Sequence, residues 1–256
     1  MKNMTKMIIT DLDKSLLNNE RIITEYTKRV FSECIDNGII VVFATARPLR
    51  VTKIFYESIL PHAVICHNGA VAYANGKQIY QCGIKSEMVK ILLENIINYY
   101  PKANLAIESM DQLYTNFNAS IIWTNTDYKN MNIKYLPKTD IDKIIIEMES
   151  LDRIKEISKF LPQELYLEIN EGKLGLIMNK GATKWNAINE LTKYFNIDIK
   201  NTIAFGDDFN DLEMIKYCGT GVAMENGIEE IRNNAKYICG NNEENGIAKW
   251  IKENII

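Results

Sequence analysis

A doubly wound α/β parallel sheet carrying an inserted α+β module is the fold class that this sequence predicts, on three observations. Short apolar runs alternate with helix-period segments in the first and last thirds of the 256-residue chain. These runs are continuous rather than alternating, as strands buried on both faces of a parallel sheet read. The middle of the chain breaks this rhythm with hairpin signals and a different spacing, and the length suits a core plus a second module better than one small domain.

The elements follow in order. MIITDL (7–12), IIVVFATA (39–46) and AVICHNG (63–69) read as the first buried strands, with a helix over 24–37 opened by Thr24 as its cap and closed by Gly38. In VAYANGKQIYQCGI (71–84), Asn75-Gly76 stands between two strand-like runs and predicts a tight hairpin. Met88, Ile91, Leu92, Ile96 and Tyr99 trace one face of a helix over about 85–100. IIIEM (144–148), a helix near 150–160 and the paired runs ELYLEI and KLGLIM joined by NEGK complete the module. The rhythm then returns with a helix over 182–195, the strands TIAFGDD (202–208) and GTGVAM (219–224), and a terminal helix over 246–254. We therefore expect a core from 1–82 and 179–256, interrupted by an α+β insertion over 83–178.

Composition narrows the partners. A net charge of −3 gives no general attraction to nucleic acid or to anionic membrane. No stretch reaches the ~20 apolar residues of a membrane span, and MKNMTKMIITDLD has an apolar run too short for a secretion signal, so a cytoplasmic location is expected. The five cysteines are odd in number and scattered without a CxxC pair, which predicts reduced thiols rather than disulfides or a zinc site. His62 and His67 are the only histidines and do not read as a metal pair. Dinucleotide, Walker-type, GxSxG and HExxH signatures are absent.

The polar residues that remain collect at strand ends, where open α/β sheets place their ligands. Asp11 and Asp13 in DLDKS, Thr45 in ATARP, Asn68 in HNGA, and Asp207, Asp208 and Asp211 in GDDFNDLEMI all fall at such ends. In an extended chain Asp11 and Asp13 share a face. Two carboxylates about 4 Å apart repel by roughly 4 kcal/mol at an effective dielectric near 20, so the acids require a positive partner. A magnesium ion is suited to that role, because it accepts a few carboxylates and completes its shell with water and phosphate oxygens. Lys180 in NKGATKW precedes the helix leading into TIAF and supplies a compact cation for phosphate; Thr45 offers a hydroxyl donor.

The order DLDKS, ATARP, NKGATK and GDDFNDLEMI resembles the haloacid dehalogenase superfamily, and within it the Cof-type phosphatases, whose large cap is inserted after the third core strand. The resemblance spans essentially the whole chain, including HNGA before the insertion. It implies a HAD-like Rossmannoid core with a cap, and Mg²⁺-dependent hydrolysis of a small phosphorylated metabolite, a sugar phosphate or nucleotide-like cofactor, through an aspartyl-phosphate. On this basis Asp11 is the nucleophile and Asp13 the general acid and base. Thr45, Ala46, Lys180 and Asn210 hold the phosphoryl group, Asn210 reaching Lys180 or phosphate. Asp11, the Asp13 carbonyl and Asp207 hold Mg²⁺, with Asp211 supporting its water shell and Asp208 one shell further out; Arg47 in ATARP is separately a candidate to face the site. The pattern usually carries Gly-Thr where this chain has Lys14-Ser15, and the extra cation suggests a preference for more anionic substrates. A phosphomutase, a phosphoacceptor signalling module and a metabolite-binding protein are the alternatives. Leaving-group selection falls to the cap, with Glu108, Tyr114, Asn116 and Trp123 as candidates.

Overall fold

The computed structural model describes residues 5–170 and 174–256. The chain divides into two compact units, one formed by residues up to Tyr80 and from Thr183 onward, the other by Gln81–Ala182. The inserted unit thus begins two residues before, and ends four residues after, the span 83–178 expected from sequence.

The first unit starts with β1 (Met7–Thr10), α1 (Glu25–Asp36), β2 (Ile40–Ala44), a short α2 (Leu49–Thr52), β3 (Ala63–Cys66), β4 (Val71–Ala74) and β5 (Lys77–Gln81). Thr24 caps α1 by accepting a hydrogen bond from the Thr27 N–H. β4 and β5 meet at Asn75-Gly76, as the turn signal predicts.

The inserted unit contains α3 (Ser86–Tyr99), β6 (Asn104–Ser109), β7 (Gln112–Thr115), β8 (Tyr128–Asn130), β9 (Lys143–Glu147), α4 (Leu151–Ile157), β10 (Leu165–Asn170) and β11 (Leu174–Asn179). Most of the NEGK turn anticipated between the last two strands lies outside the described residues. The first unit resumes with α5 (Lys184–Tyr194), β12 (Thr202–Gly206), α6 (Leu212–Tyr217), β13 (Thr220–Met224), α7 (Glu229–Asn234), β14 (Tyr237–Cys239) and α8 (Gly246–Asn254).

The core sheet runs β14-β13-β12-β1-β2-β3-β4-β5, and the pairs from β14 through β3 are parallel. Its strands are apolar on both sides because helices cover both. Ile8, Val41, Phe43 and Phe205 pack with Phe31 of α1 and Trp250 and Ile251 of α8. Met7, Ile9, Val42 and Ala204 pack with Ile188 and Leu191 of α5, Met214 of α6 and Ile231 of α7. Burying a side chain of this size removes it from water at roughly 1.5–3 kcal/mol, which is why these runs carry no polar alternation.

The sheet of the inserted unit, β10-β11-β9-β6-β7-β8, is mostly antiparallel. On one face Leu105, Ile107, Ile144 and Ile146 pack beneath Leu92 and Ile96 of α3 and Ile154 of α4. The other face gathers Ala106, Leu113, Ile145 and Met178 with Phe117, Trp123 and Tyr166. Asn116 is a scaffold residue: its Oδ1 accepts from the Leu105 N–H and its Nδ2 donates to the Ala103 carbonyl. Glu108 is buried opposite Lys143 in the β6/β9 ladder, and Tyr114 packs toward the helical layer.

Beside Glu108, Asp142 is 1% exposed and accepts a hydrogen bond from Gln81 Nε2 at 2.8 Å. Burial pushes its carboxyl up to about 7; Glu108 and Asp140 add to that, against the opposing Gln81 bond and Lys143. The folded state therefore favours the neutral acid over an unfolded carboxyl near 4. Stability is full below that value and falls as pH rises from about 4 to about 7, by a few kcal/mol at most. Urea midpoints recorded across this range should show that decline in the wild type, and Asp142→Asn should make it shallower, the remainder coming from other buried carboxyls such as Asp207; an unchanged slope would mean that Asp142 does not contribute.

Candidate active site

Because the central strands are parallel, the segments after β1, β2, β3 and β12 emerge along one edge of the core sheet. Asp11 follows β1, with its N–H bonded to the Phe205 carbonyl, and is 6% exposed. Beyond it the chain does not stay extended: Leu12–Leu16 wind into a wide turn, with Lys14 at φ 61° and ψ 8°. That left-handed conformation accounts for glycine as the usual residue of the similar motif, since a side chain there costs about 1 kcal/mol. Lys14 is exposed, and its carbonyl is held by Asn226 Nδ2 at 2.8 Å.

The turn separates the two acids of DLDKS. The Asp13 carboxylate leaves the shared face and meets Arg47 in a two-point pair, Nε to Oδ2 at 2.7 Å and Nη2 to Oδ1 at 2.5 Å. Arg47 is itself braced by the Phe55 ring, 5.5 Å away, and its charged form is favoured first by the Asp13 bond. Among the described residues the acidic cluster is Asp11, Asp207 and Asp211, whose oxygens lie within 4.8 Å of one another. The Asp13 side chain is not part of it, which corrects the expectation from i, i+2 spacing.

The lysine expected at the acids is also a different one. Lys180 is exposed at the end of β11, in the inserted unit, with its N–H on the Glu164 carbonyl. It is Lys184, fully buried, that reaches the acids, its Nζ standing 2.6 Å from Asp11 Oδ1 and 2.6 Å from Asp211 Oδ1. Lys184 opens α5 after Thr183, whose side chain caps the helix. A lysine in the first turn faces the positive end of the helix dipole and needs a negative partner. That mismatch was the available signal, and the four-residue repeat of lysine in NKGATK obscured it.

The loop after β12 is built on its own carboxylates. Asp211 Oδ2 accepts the N–H groups of Asp207 and Asp208, at 2.9 and 3.3 Å, and Asp208 Oδ1 accepts that of Phe209. Asp208 is thus a capping residue. Gly206 is required because a Cβ there would lie 2.5 Å from the Asp211 carboxyl. Ser15 Oγ donates to Asp207 Oδ1 at 3.1 Å, so the DLDKS hydroxyl steadies the second acid. Thr45 is 1% exposed and accepts from the Arg47 N–H, while Ala46 next to it is exposed. Among the described residues Asn210 bonds to Asn68 rather than to either lysine of the motif: its Nδ2 donates to Asn68 Oδ1 at 3.0 Å.

Electrostatics test whether a cation fits. Three carboxylates face one ammonium, leaving a formal charge of −2 on the cluster. Burial, then Asp211, push the Asp207 carboxyl up to about 7, against Ser15 and Lys184. Burial also raises Asp11 well above the usual carboxylate range, with Asp211 and Asp207 adding and Lys184 opposing. Burial works to neutralise Lys184, but Asp11 and Asp211 outweigh it and hold the ammonium charged. The donor set is oxygen only, and its unbalanced charge is that of one divalent ion, so a hard cation such as Mg²⁺ fits.

A parallel α/β core with a buried acid cluster and lysine at its carboxyl edge, interrupted by an α+β unit, is an arrangement suited to holding a divalent cation at the strand ends. The chain belongs to the haloacid dehalogenase-like hydrolases, whose family model matches residues 8–251. It is 27% identical to a 5-amino-6-(5-phospho-D-ribitylamino)uracil phosphatase of Bacillus subtilis (strain 168), over 99% of this chain and 98% of that one. A second phosphatase of the same name from that organism is 28% identical, covering 96% of this chain and 94% of its own length. Among solved structures, a HAD subclass IIB sugar phosphatase superposes with a TM-score of 0.81 at 22% identity, covering 97% of this chain and 98% of that one. A protein from Thermotoga maritima does so with a TM-score of 0.87 at 24% identity, over 98% and 97%. The chain is a phosphatase of this family.

Removing Lys184 leaves buried carboxylates without their cation, a change that costs about 3–5 kcal/mol in comparable sites. Lys184→Ala should therefore lower the urea midpoint strongly, whereas Lys180→Ala should stay within about 0.5 kcal/mol of wild type. Equal effects of the two substitutions would refute the assignment of the lysine.

Proposed function

We propose that the protein is a Mg²⁺-dependent phosphatase of small phosphorylated metabolites, sugar or polyol phosphates with or without an attached base, acting in the cytoplasm through an aspartyl-phosphate. The carrying observation is the buried Asp11–Lys184–Asp211 contact beside Asp207 at the carboxyl edge of the sheet. The ribityl-linked and sugar phosphatases among its relatives support the substrate class. Five free cysteines, four of them buried, suit a reducing compartment.

On this reading the Asp11 carboxylate attacks phosphorus, and the bond from phosphorus to the leaving oxygen breaks as that oxygen takes a proton from Asp13. Water then attacks the acyl phosphate, gives its proton to Asp13 and releases inorganic phosphate with the Asp11 carboxylate restored. Arg47 orients Asp13, and Lys184 offsets the repulsion between carboxylate and phosphate while holding Asp11 in line. The Thr45 hydroxyl donates to a phosphate oxygen. Asp11, Asp207 and the Asp13 carbonyl would hold Mg²⁺, which when bound supplies charge neutralisation for the transferring group.

Phosphate release measured over a panel of sugar, polyol and nucleotide monophosphates should be lost with chelator. Asp11→Asn should reduce it by about 10³-fold or more, and Asp13→Asn by about 10²–10⁴-fold. Undiminished release by Asp11→Asn would end the aspartyl-phosphate reading.

Metal binding has a readout of its own. Mg²⁺ at about 100 times its dissociation constant should stabilise the fold by about 2.7 kcal/mol. Thermal unfolding should show this as a rise in midpoint that Asp207→Asn abolishes; a similar rise in both proteins would place the ion elsewhere.

A further inference from the structure

One turn at the sheet edge supplies no group to the chemistry above, yet three site-bearing segments meet on it. His67, Asn68 and Gly69 follow β3 with φ of 50°, 57° and 104°, three consecutive residues on the left-handed side. For non-glycine residues that conformation costs on the order of 1 kcal/mol each, and it persists only where the surroundings impose it.

The surroundings are the active-site loops of the same unit. The His67 N–H donates to the Arg47 carbonyl at 3.2 Å and the Asn68 N–H to the Thr45 carbonyl at 3.1 Å, which laces the turn to the loop after β2. Gly69 lies against the start of α5: a Cβ there would fall 2.1 Å from the Thr183 carbonyl and 2.6 Å from the Lys184 nitrogen. Asn68 is 5% exposed, and its Oδ1 accepts from Asn210 Nδ2 at 3.0 Å, tying the turn to the loop that carries Asp207 and Asp211. The turn therefore touches the loop after β2, the start of α5 and the loop after β12 at once, through groups that are not among the acids or the lysine.

We propose that Asn68 and Gly69 are positioning residues: the left-handed turn sets the separation of the Lys184 backbone, the Thr45 loop and the acidic loop, and thereby the rate of phosphoryl transfer rather than substrate affinity. This rests on the phosphatase reading. Gly69 acts by close approach and Asn68 through Asn210. A geometry error near 1 Å in such a site costs up to about 10²-fold in rate.

The test is a double-mutant cycle with p-nitrophenyl phosphate and Mg²⁺. Asn68→Gly keeps the positive φ accessible and removes only the amide, and Asn210→Ala removes its partner. Each is expected to lower kcat by about 10-fold with KM changed by less than about 2-fold, and the double variant to lie near the single ones because the two act as one unit. Gly69→Ala is expected to lower kcat further, by about 10²-fold. Circular dichroism melting of Asn68→Gly monitors folding. Additive losses near 10²-fold in the double variant, a change confined to KM, or full activity of Asn68→Gly would each overturn the inference while leaving the phosphatase reading intact. A wild type inert to the probe, with Mg²⁺ and with chelator alike, would overturn the catalytic reading and this inference with it.

Discussion

The Lys184 ammonium lies 2.6 Å from carboxylates of both Asp11 and Asp211, with no exposure to solvent. A buried ammonium is tolerated only when anions compensate its lost hydration, and buried carboxylates carry the converse requirement. The three residues come from the end of β1, the start of α5 and the loop after β12, so the contact can form only if the strands run parallel and the helix starts at their carboxyl edge. The apolar covering on both faces of the sheet serves that end, since it holds strand order and register without polar alternatives. One ammonium among three acids leaves negative charge over, and that excess makes the edge receptive to a divalent cation.

The acids around this contact do double service. Asp211 binds Lys184 through one oxygen and the backbone of its own loop through the other; Asp208 caps that loop; Ser15 ties Asp207 to the DLDKS turn. Asp13 is turned aside onto Arg47, which is packed on Phe55. Groups fixed in this way need little reorganisation when charge develops on a substrate, which is where electrostatic catalysis gains most. Asp11, Asp207, Asp211 and Lys184 all belong to the first unit, and the inserted unit has a hydrophobic core of its own.

Much of this was legible residue by residue. Continuous runs such as IIVVFATA announced strands buried on both faces, Asn75-Gly76 the hairpin, and Thr24 the start of a helix, because each signal is a local steric or hydrogen-bonding preference. The strands β6 to β8 escaped, since short segments with mixed polarity are shaped by their neighbours in the sheet. In the site, Asp11, Asp207 and Asp211 stood out as acids at strand ends, while the choice between Lys180 and Lys184, the turning of Asp13 toward Arg47 and the Asn68–Asn210 bond did not. Sequence by itself determined which strands are buried and which carboxylates cap them, since both follow from short-range periodicity and residue chemistry. Tertiary structure alone decided which cation meets those acids, because that depends on where α5 begins relative to β1 and β12, a distance across the sheet that no local spacing encodes.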